Sequence, residues 1–250
     1  MICALMIGRA GSRGFPGKNT KKVLGRPLCE YPLIACKNSK HIDKVFISTD
    51  CPIITKIGKK YNVTIIKRPK KLANNFTLGD HVFEHGYFQI KKILNLNSKD
   101  IEFVVLLFAN AATVTGKLID EGIKILRKNK KFDSAISTSV YNMWSPLRAR
   151  KLNKYGLLDP FVPFETFGDP KKLNCDRDSQ GEVHYADMSV SVVRTRCLEK
   201  LRNGLLPQKW MGKKIKPIRS WGGCDVDYEW QIPMVEFWLK KNGFKNFTKK

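Results

Sequence analysis

An α/β fold with a mostly parallel central sheet is what this sequence predicts, and three observations carry that expectation. Short apolar runs alternate with longer segments of helical period along most of the chain. Its 250 residues suit one domain around a single core, because such cores stop growing at about 250 to 300 residues. The composition is 42% hydrophobic and 27% charged, and no apolar run nears the ~18 residues of a membrane span, which excludes disordered and transmembrane classes.

Taken in order, Met1 to Ile7 reads as the first strand, since it is apolar and runs straight into a glycine-rich turn with no basic leader before it. Val45 to Ser48 supplies the second strand, Val63 to Ile66 the third, Phe103 to Leu107 the fourth and Ala135 to Val140 the fifth. Helices fit the intervals. Residues 26 to 39 and 52 to 60 form the first two, and Thr77 to Leu94 a longer one that buries Leu78, Val82, Phe83 and Tyr87 along one stripe. Thr115 is placed to cap the next, with Asp120 and Glu121 in its early turns and Leu118, Ile119, Ile123 and Leu126 on one face. Val190 to Arg194 resumes a strand, and Ile215 to Ser220 leads into Trp221-Gly-Gly-Cys-Asp-Val-Asp227. The last helix runs from Tyr228 to Lys241, with a bend expected at Pro233.

Between Tyr141 and Val183 the pattern breaks at Trp144-Ser145-Pro146, Asp159-Pro160, Pro163 and Gly168-Asp169-Pro170. An irregular stretch this long is more often functional than a plain connector. Its Trp144, Leu147, Phe161, Val162, Phe164 and Phe167 need a surface to cover. The expectation is one domain over residues 1–250, with residues 141–185 as an irregular arm that joins two copies into a homodimer.

The formal charge is +24, and 34 of the 46 basic residues are lysines, scattered in doublets such as Lys21-Lys22, Lys59-Lys60 and Lys213-Lys214. Such charge favours anionic ligands, but with no arginine-rich arm or finger spacing it predicts no specific nucleic-acid partner. Seven cysteines without a CxxC pair, and no secretory leader, point to free thiols in a reducing cytoplasm.

The chemistry concentrates in Arg9-Ala-Gly-Ser-Arg-Gly-Phe-Pro-Gly-Lys-Asn19, directly after the first strand. Its glycines allow sharp turns that bring backbone N–H groups against an anion, while Arg9, Arg13 and Lys18 concentrate positive charge, the outline of a triphosphate cradle. A Walker loop is excluded, because Ser12 stands where it needs glycine and Asn19 where it needs serine or threonine; the dinucleotide fingerprint is absent as well. A second feature is Asp225-Val-Asp227 after a Gly-Gly turn. Carboxylates one residue apart diverge in a strand but can converge in a turn on a hard cation such as Mg²⁺. The alternative is that Asp227 caps the last helix.

The run Arg9-Ala-Gly-Ser12-Arg13-Gly-Phe-Pro16-Gly17-Lys18-Asn19 resembles the signature R-x-G-S-K-x-x-P-x-K-N of the acylneuraminate cytidylyltransferases, with Arg13 in place of lysine. That family makes CMP-sialic acid and related CMP-activated nonulosonic acids. Ile47-Ser-Thr-Asp50, Arg68-Pro69 with Leu72-Ala73, and Asp225-Val-Asp227 fall where it carries similar motifs. The resemblance implies a nucleotide-diphospho-sugar transferase-like fold, CTP as donor, Mg²⁺ on Asp225 and Asp227, and transfer of CMP to a small anionic acceptor with release of pyrophosphate. It places the nucleotide on Arg9, Ala10, Gly11, Ser12, Arg13, Lys18, Asn19, Arg68 and Asn110, with Arg9, Lys18 and Asp227 as the catalytic group. Arg148, Arg177, Gln180, Tyr185 and Asp187 lie where the family builds its acceptor pocket, and arginines suit a carboxylate or phosphonate. Dimerisation through the arm is implied too.

One run departs from the pattern. Sialic acid members carry a Q-P-T-S-P-L-R-like stretch where this chain has Phe108-Ala-Asn-Ala-Ala-Thr-Val114, so a glutamine and an arginine become Phe108 and Val114, which speaks against sialic acid itself. The expected acceptor is a sialic-acid-like nonulosonic acid, with a phosphonate or another acidic sugar as the alternative. An alternative of a different class is a non-catalytic nucleotide or nucleic-acid binding protein.

Overall fold

A computed structural model describes residues 1–11, 14–176 and 181–247. The chain opens with β1 (Ile2–Ile7), every residue of which is buried. A tight hairpin follows, β2 (Lys22–Val23) and β3 (Arg26–Pro27), then α1 (Glu30–Asn38), β4 (Lys44–Thr49), α2 (Pro52–Lys60) and β5 (Thr64–Lys67). Next come α3 (Gly79–Leu94), β6 (Phe103–Phe108), α4 (Gly116–Lys128) and β7 (Ser134–Val140). A short hairpin, β8 (Arg150–Leu152) with β9 (Leu158–Pro160), precedes β10 (His184–Val193), α5 (Thr195–Glu199), β11 (Ile215–Ser220) and α6 (Ile232–Lys241).

Seven strands form the central sheet in the order β11-β7-β10-β6-β1-β4-β5. β1 pairs in parallel with β4 and β6, β4 pairs in parallel with β5, and β10 runs antiparallel to β6. The expected α/β fold with a mostly parallel sheet is therefore present. The register aligns Ile7 with Ser48 on one side and Phe108 on the other. This puts the segments that leave β1, β4 and β6 side by side at one sheet edge, where open α/β sheets bind their ligands.

Two compact units are distinguished, one of Met1–Thr138 with Asp187–Lys250 and one of Ser139–Ala186. In the first, Ala4, Met6, Val105, Leu107 and Val192 of the sheet pack against Leu33 of α1 and Ile119, Ile123 and Leu126 of α4. A second cluster joins Val23, Leu28, Tyr31, Ala112, Val226 and Trp238. In the second unit, β8 and β9 pair with Lys151 opposite Asp159, and Asn153 Oδ1 accepts the N–H groups of Tyr155 and Leu157 to close the turn. Leu152, Tyr155, Leu157, Leu158 and Phe161 are exposed there, while Leu147 is buried.

Several expected elements differ in detail. The first helix begins at Glu30 instead of residue 26, because Leu24 (φ 46°) and Gly25 (φ 77°) turn the chain back in the left-handed conformation that a two-residue hairpin demands. Leu78 precedes α3 and is 60% exposed, so it does not belong to the buried stripe of Val82, Phe83 and Tyr87. The strand expected from Val190 starts at His184. Pro233 lies in the first turn of α6, where its missing N–H has no helical acceptor in any case, so no bend is called for. Thr115 caps α4 as expected, accepting the Leu118 N–H at 3.3 Å.

All seven cysteines are free; Cys175 is exposed, Cys224 half-buried and the other five buried. Burial pushes the thiols of Cys29, Cys36, Cys197 and Cys224 up to about 12. No helix among the described residues is long and apolar enough to cross a membrane.

Candidate functional site

The segment that leaves β1 forms one side of a cleft of about 470 Å³. Gly17, in the left-handed conformation at φ 73°, starts a single turn over Lys18–Thr20 and so carries Lys18 into the cleft. Asn19 is buried, and its side-chain amide donates to the Arg9 carbonyl at 3.0 Å, tying the far end of the loop to its beginning. The Ala10 N–H donates to Asp50 Oδ1 at 3.0 Å, which anchors the loop to the end of β4. Arg9 turns its guanidinium onto the Gly11 carbonyl at 2.6 Å and the Asn75 side-chain oxygen at 2.5 Å.

Arg68, just after β5, is buried and donates to the Ser48 carbonyl at 2.6 Å and, at 3.4 Å, to the Ser48 hydroxyl. Burial lowers its guanidinium to about 10, partly offset by Asp50 and reinforced by Arg9. It still carries full charge at neutral pH, so the cleft holds a cationic group beyond the loop.

The opposite side is the segment after β11. Two hydrogen bonds join Asn110 and Val226, with the Val226 N–H donating to the Asn110 carbonyl at 3.0 Å and the Asn110 side-chain amide donating to the Val226 carbonyl at 2.9 Å. That clamp fixes Asp225 and Asp227 on either side of Val226. Behind it, Thr113 Oγ1 accepts the Cys224 N–H at 3.0 Å and meets Ser189 Oγ at 2.8 Å. Gly223 packs so close to Asp187 that a Cβ there would stand 2.3 Å from a carboxylate oxygen, so only glycine fits this turn.

Asp225 is half-buried, and its carboxyl is held above the ordinary range by burial first and by the neighbouring Asp227 charge second, with Lys18 opposing. The Lys18 ammonium pairs with Asp227 Oδ1, a contact between residues 209 apart in sequence. Asp227 does not cap α6 through its side chain; its N–H and that of Tyr228 donate to Gln231 Oε1 at 2.6 and 2.8 Å. Two carboxylates whose charges repel are a hard donor set that a divalent cation would relieve. No group of three or more His, Cys, Asp or Glu side chains converges among the described residues. A cation held by Asp225 and Asp227 would therefore take its remaining ligands from water or phosphate, as Mg²⁺ does.

Of the residues that the sequence singles out, Arg9, Lys18, Asn19, Arg68, Asn110, Asp225 and Asp227 all line this cleft. Ala10 and Gly11 belong to the same loop but are not among its lining residues. Ser12, Arg13, Arg177 and Gln180 lie outside the described residues. Asp187 is buried in the first unit, where it accepts from the Ser137 hydroxyl and, at 3.1 Å, the Ser189 N–H. In the second unit, Tyr185 stacks edge-on to Trp144 at 6.0 Å, and Arg148 donates to the Cys175 carbonyl beside a cleft of about 250 Å³. Sequence reasoning assigned no site role to Asp50 or Asn75. Asp50 was visible only as the end of a motif, and an Asn pair before a helix reads as an ordinary turn.

The fold is that of the nucleotidyltransferases. The structure of CMP:2-keto-3-deoxy-manno-octonic acid synthetase superposes on it with a TM-score of 0.65 over 96% of this chain and 99% of that one, at 11% identity. The chain belongs to the cytidylyltransferase family, whose family model matches residues 3–206, and the resemblance read from the motifs is borne out. It is 27% identical over 150 residues to the pseudaminic acid cytidylyltransferase and UDP-2,4-diacetamido-2,4,6-trideoxy-beta-L-altropyranose hydrolase of Helicobacter pylori, covering 60% of this chain and 28% of that protein. It is 28% identical over 160 residues to the N-acylneuraminate cytidylyltransferase of Escherichia coli, covering 64% of this chain and 36% of that protein. The matches thus span about a third of these relatives' length.

Proposed function

We propose that the protein transfers CMP from CTP to a nonulosonic acid and releases pyrophosphate. The observation that carries this reading is the meeting of Lys18 and Asp227 in one cleft, a phosphate-binding cation against a cation-binding carboxylate. A polyanion binder gains nothing from carboxylates at its phosphate site. Family membership and the names of the two relatives support the same reaction.

In this mechanism an acceptor oxygen attacks the α-phosphorus and pyrophosphate departs. Arg9 and Lys18 exchange their present partners, the Gly11 carbonyl and Asn75 for one and Asp227 for the other, for phosphate oxygens. Their charge then offsets what develops on the non-bridging and leaving oxygens. Asn19 and the Asp50 carboxylate keep the loop in place, and Asn110 orients the acidic segment. Mg²⁺, held by Asp225 and Asp227, would supply further charge neutralisation at the phosphates. We assign the arm, residues 141–185, to acceptor contacts and to joining two copies as a homodimer.

A pyrophosphate-release screen of four nucleoside triphosphates against a panel of nonulosonic acids and phosphonates tests the reading. Turnover with CTP and a nonulosonic acid is expected. Turnover with phosphonates alone, or with no acceptor at all, would overturn it.

A further inference from the structure

The ends of β5, β4, β1 and β6 follow one another along the sheet, so the loop after β1 stands between two flanks. Toward β4 and β5 the flank is polar, with Asp50 and the buried Arg68. Toward β6 the flank carries the apolar Phe108 ring and Val82 of α3, with Asn110 two residues beyond the ring. Gly79, at the start of α3, adds no side chain; a Cβ there would stand 3.8 Å from Phe108 Cε1. The ring is not free to swing away. Phe83 meets it edge-on at 5.2 Å, Trp210 packs against it at a tilt with centroids 5.9 Å apart, and both are buried.

We infer that Phe108 is a specificity-determining residue, a fixed apolar wall that selects acidic sugars bearing hydrogen or methyl, instead of hydroxyl, at the carbon that faces it. This rests on the cytidylyl-transfer reading. With the phosphates over the Arg9–Lys18 loop, a base brings hydrogen-bonding edges that the polar flank can meet, which leaves the Phe108 ring and Val82 to the acceptor. A hydroxyl pressed against the ring loses water and gains no partner, whereas a C–H or methyl group gains contact.

The test compares nonulosonic acids in matched pairs, each differing only in hydroxyl against hydrogen at one carbon, by kcat/KM for pyrophosphate release from CTP. The full chain, Phe108→Leu and Phe108→Gln are assayed side by side. The unaltered protein should prefer the deoxy member of one pair by about tenfold to a hundredfold, the range for one group in an apolar pocket. Phe108→Leu should keep that preference and Phe108→Gln should bring the ratio near one. Equal kcat/KM within every pair for the unaltered protein overturns the inference, and this ratio decides even if Phe108→Gln fails to fold. So does a Phe108→Gln variant that alters only the discrimination between CTP and 2′-deoxy-CTP, which would put the wall against the nucleotide. Absence of pyrophosphate release with every acceptor would overturn the cytidylyl-transfer reading itself, and the wall with it.

Discussion

Lys18 and Asp227 hold each other's charge where the proposed ligands would enter, so each is preorganised at little cost in mobility. Lys18→Ala and Asp227→Ala should each lower turnover by about 10² or more while leaving the fold intact, the usual effect of removing one electrostatic stabiliser. Pyrophosphate release by purified variants checks this, and near-unaltered rates from either would remove its assigned role. Asp225 supports a second expectation. Because burial and Asp227 raise its carboxyl pKa, the folded chain binds that proton more tightly than the unfolded chain does. Stability is therefore lost as pH rises from about 3.9, the ordinary carboxylate value, through the raised one, and the loss is complete above it. Asp225→Asn should raise the chelated protein's Tm at neutral pH while abolishing turnover, and the gain should fade as pH drops through the raised carboxyl value and be gone below the ordinary one. Melting curves across pH read this directly. The charged members of the cleft were legible in the sequence because arginine and lysine in a glycine-rich loop, and two aspartates around one residue, form local patterns. Asp50 and Asn75 were not, since their roles depend on strand register and on a contact 66 residues away.

At the scale of elements, the start of α4 is fixed twice. Thr115 caps it, and Gly116 lies so near α1 that a Cβ would stand 2.6 Å from the Asn38 carbonyl. Thr115→Ala should cost about 1 kcal/mol, or about 2–4 °C in Tm for a chain of this size. Gly116→Ala should cost more, about 1–3 kcal/mol, because its neighbours are backbone atoms that cannot rotate aside. Thermal unfolding of the two variants ranks them. The same helix shows why sequence reading succeeds. Its cap and its buried Ile119, Ile123 and Leu126 agree with each other at the spacing of one face. The hairpin of β2 and β3 shows why it fails. Two-residue strands leave no period to detect, and Leu24 in a left-handed turn is a choice that local propensity does not favour. The early half of β10, His184 to Asp187, escaped notice for a related reason. Its mixed polarity follows its neighbours, not a repeat.

For the molecule as a whole, the hairpin of the second unit presents Leu152 and Leu158 at 70% and 69% exposure, more apolar surface than a solitary loop retains. Sedimentation should find a homodimer, and Leu152→Lys combined with Leu158→Lys should shift it toward monomer. An unaltered protein that sediments as a fully active monomer would end that assignment. The thiol inventory bears on how this can be watched. Five sulfurs are buried, and Cys224 is driven so high that almost none of it is thiolate at neutral pH, which leaves Cys175 as the one group that alkylating reagents meet readily. A maleimide dye should consequently enter the native chain at a single position without any engineered cysteine. Two populations carrying donor and acceptor fluorophores, once mixed, would report subunit exchange as energy transfer in real time.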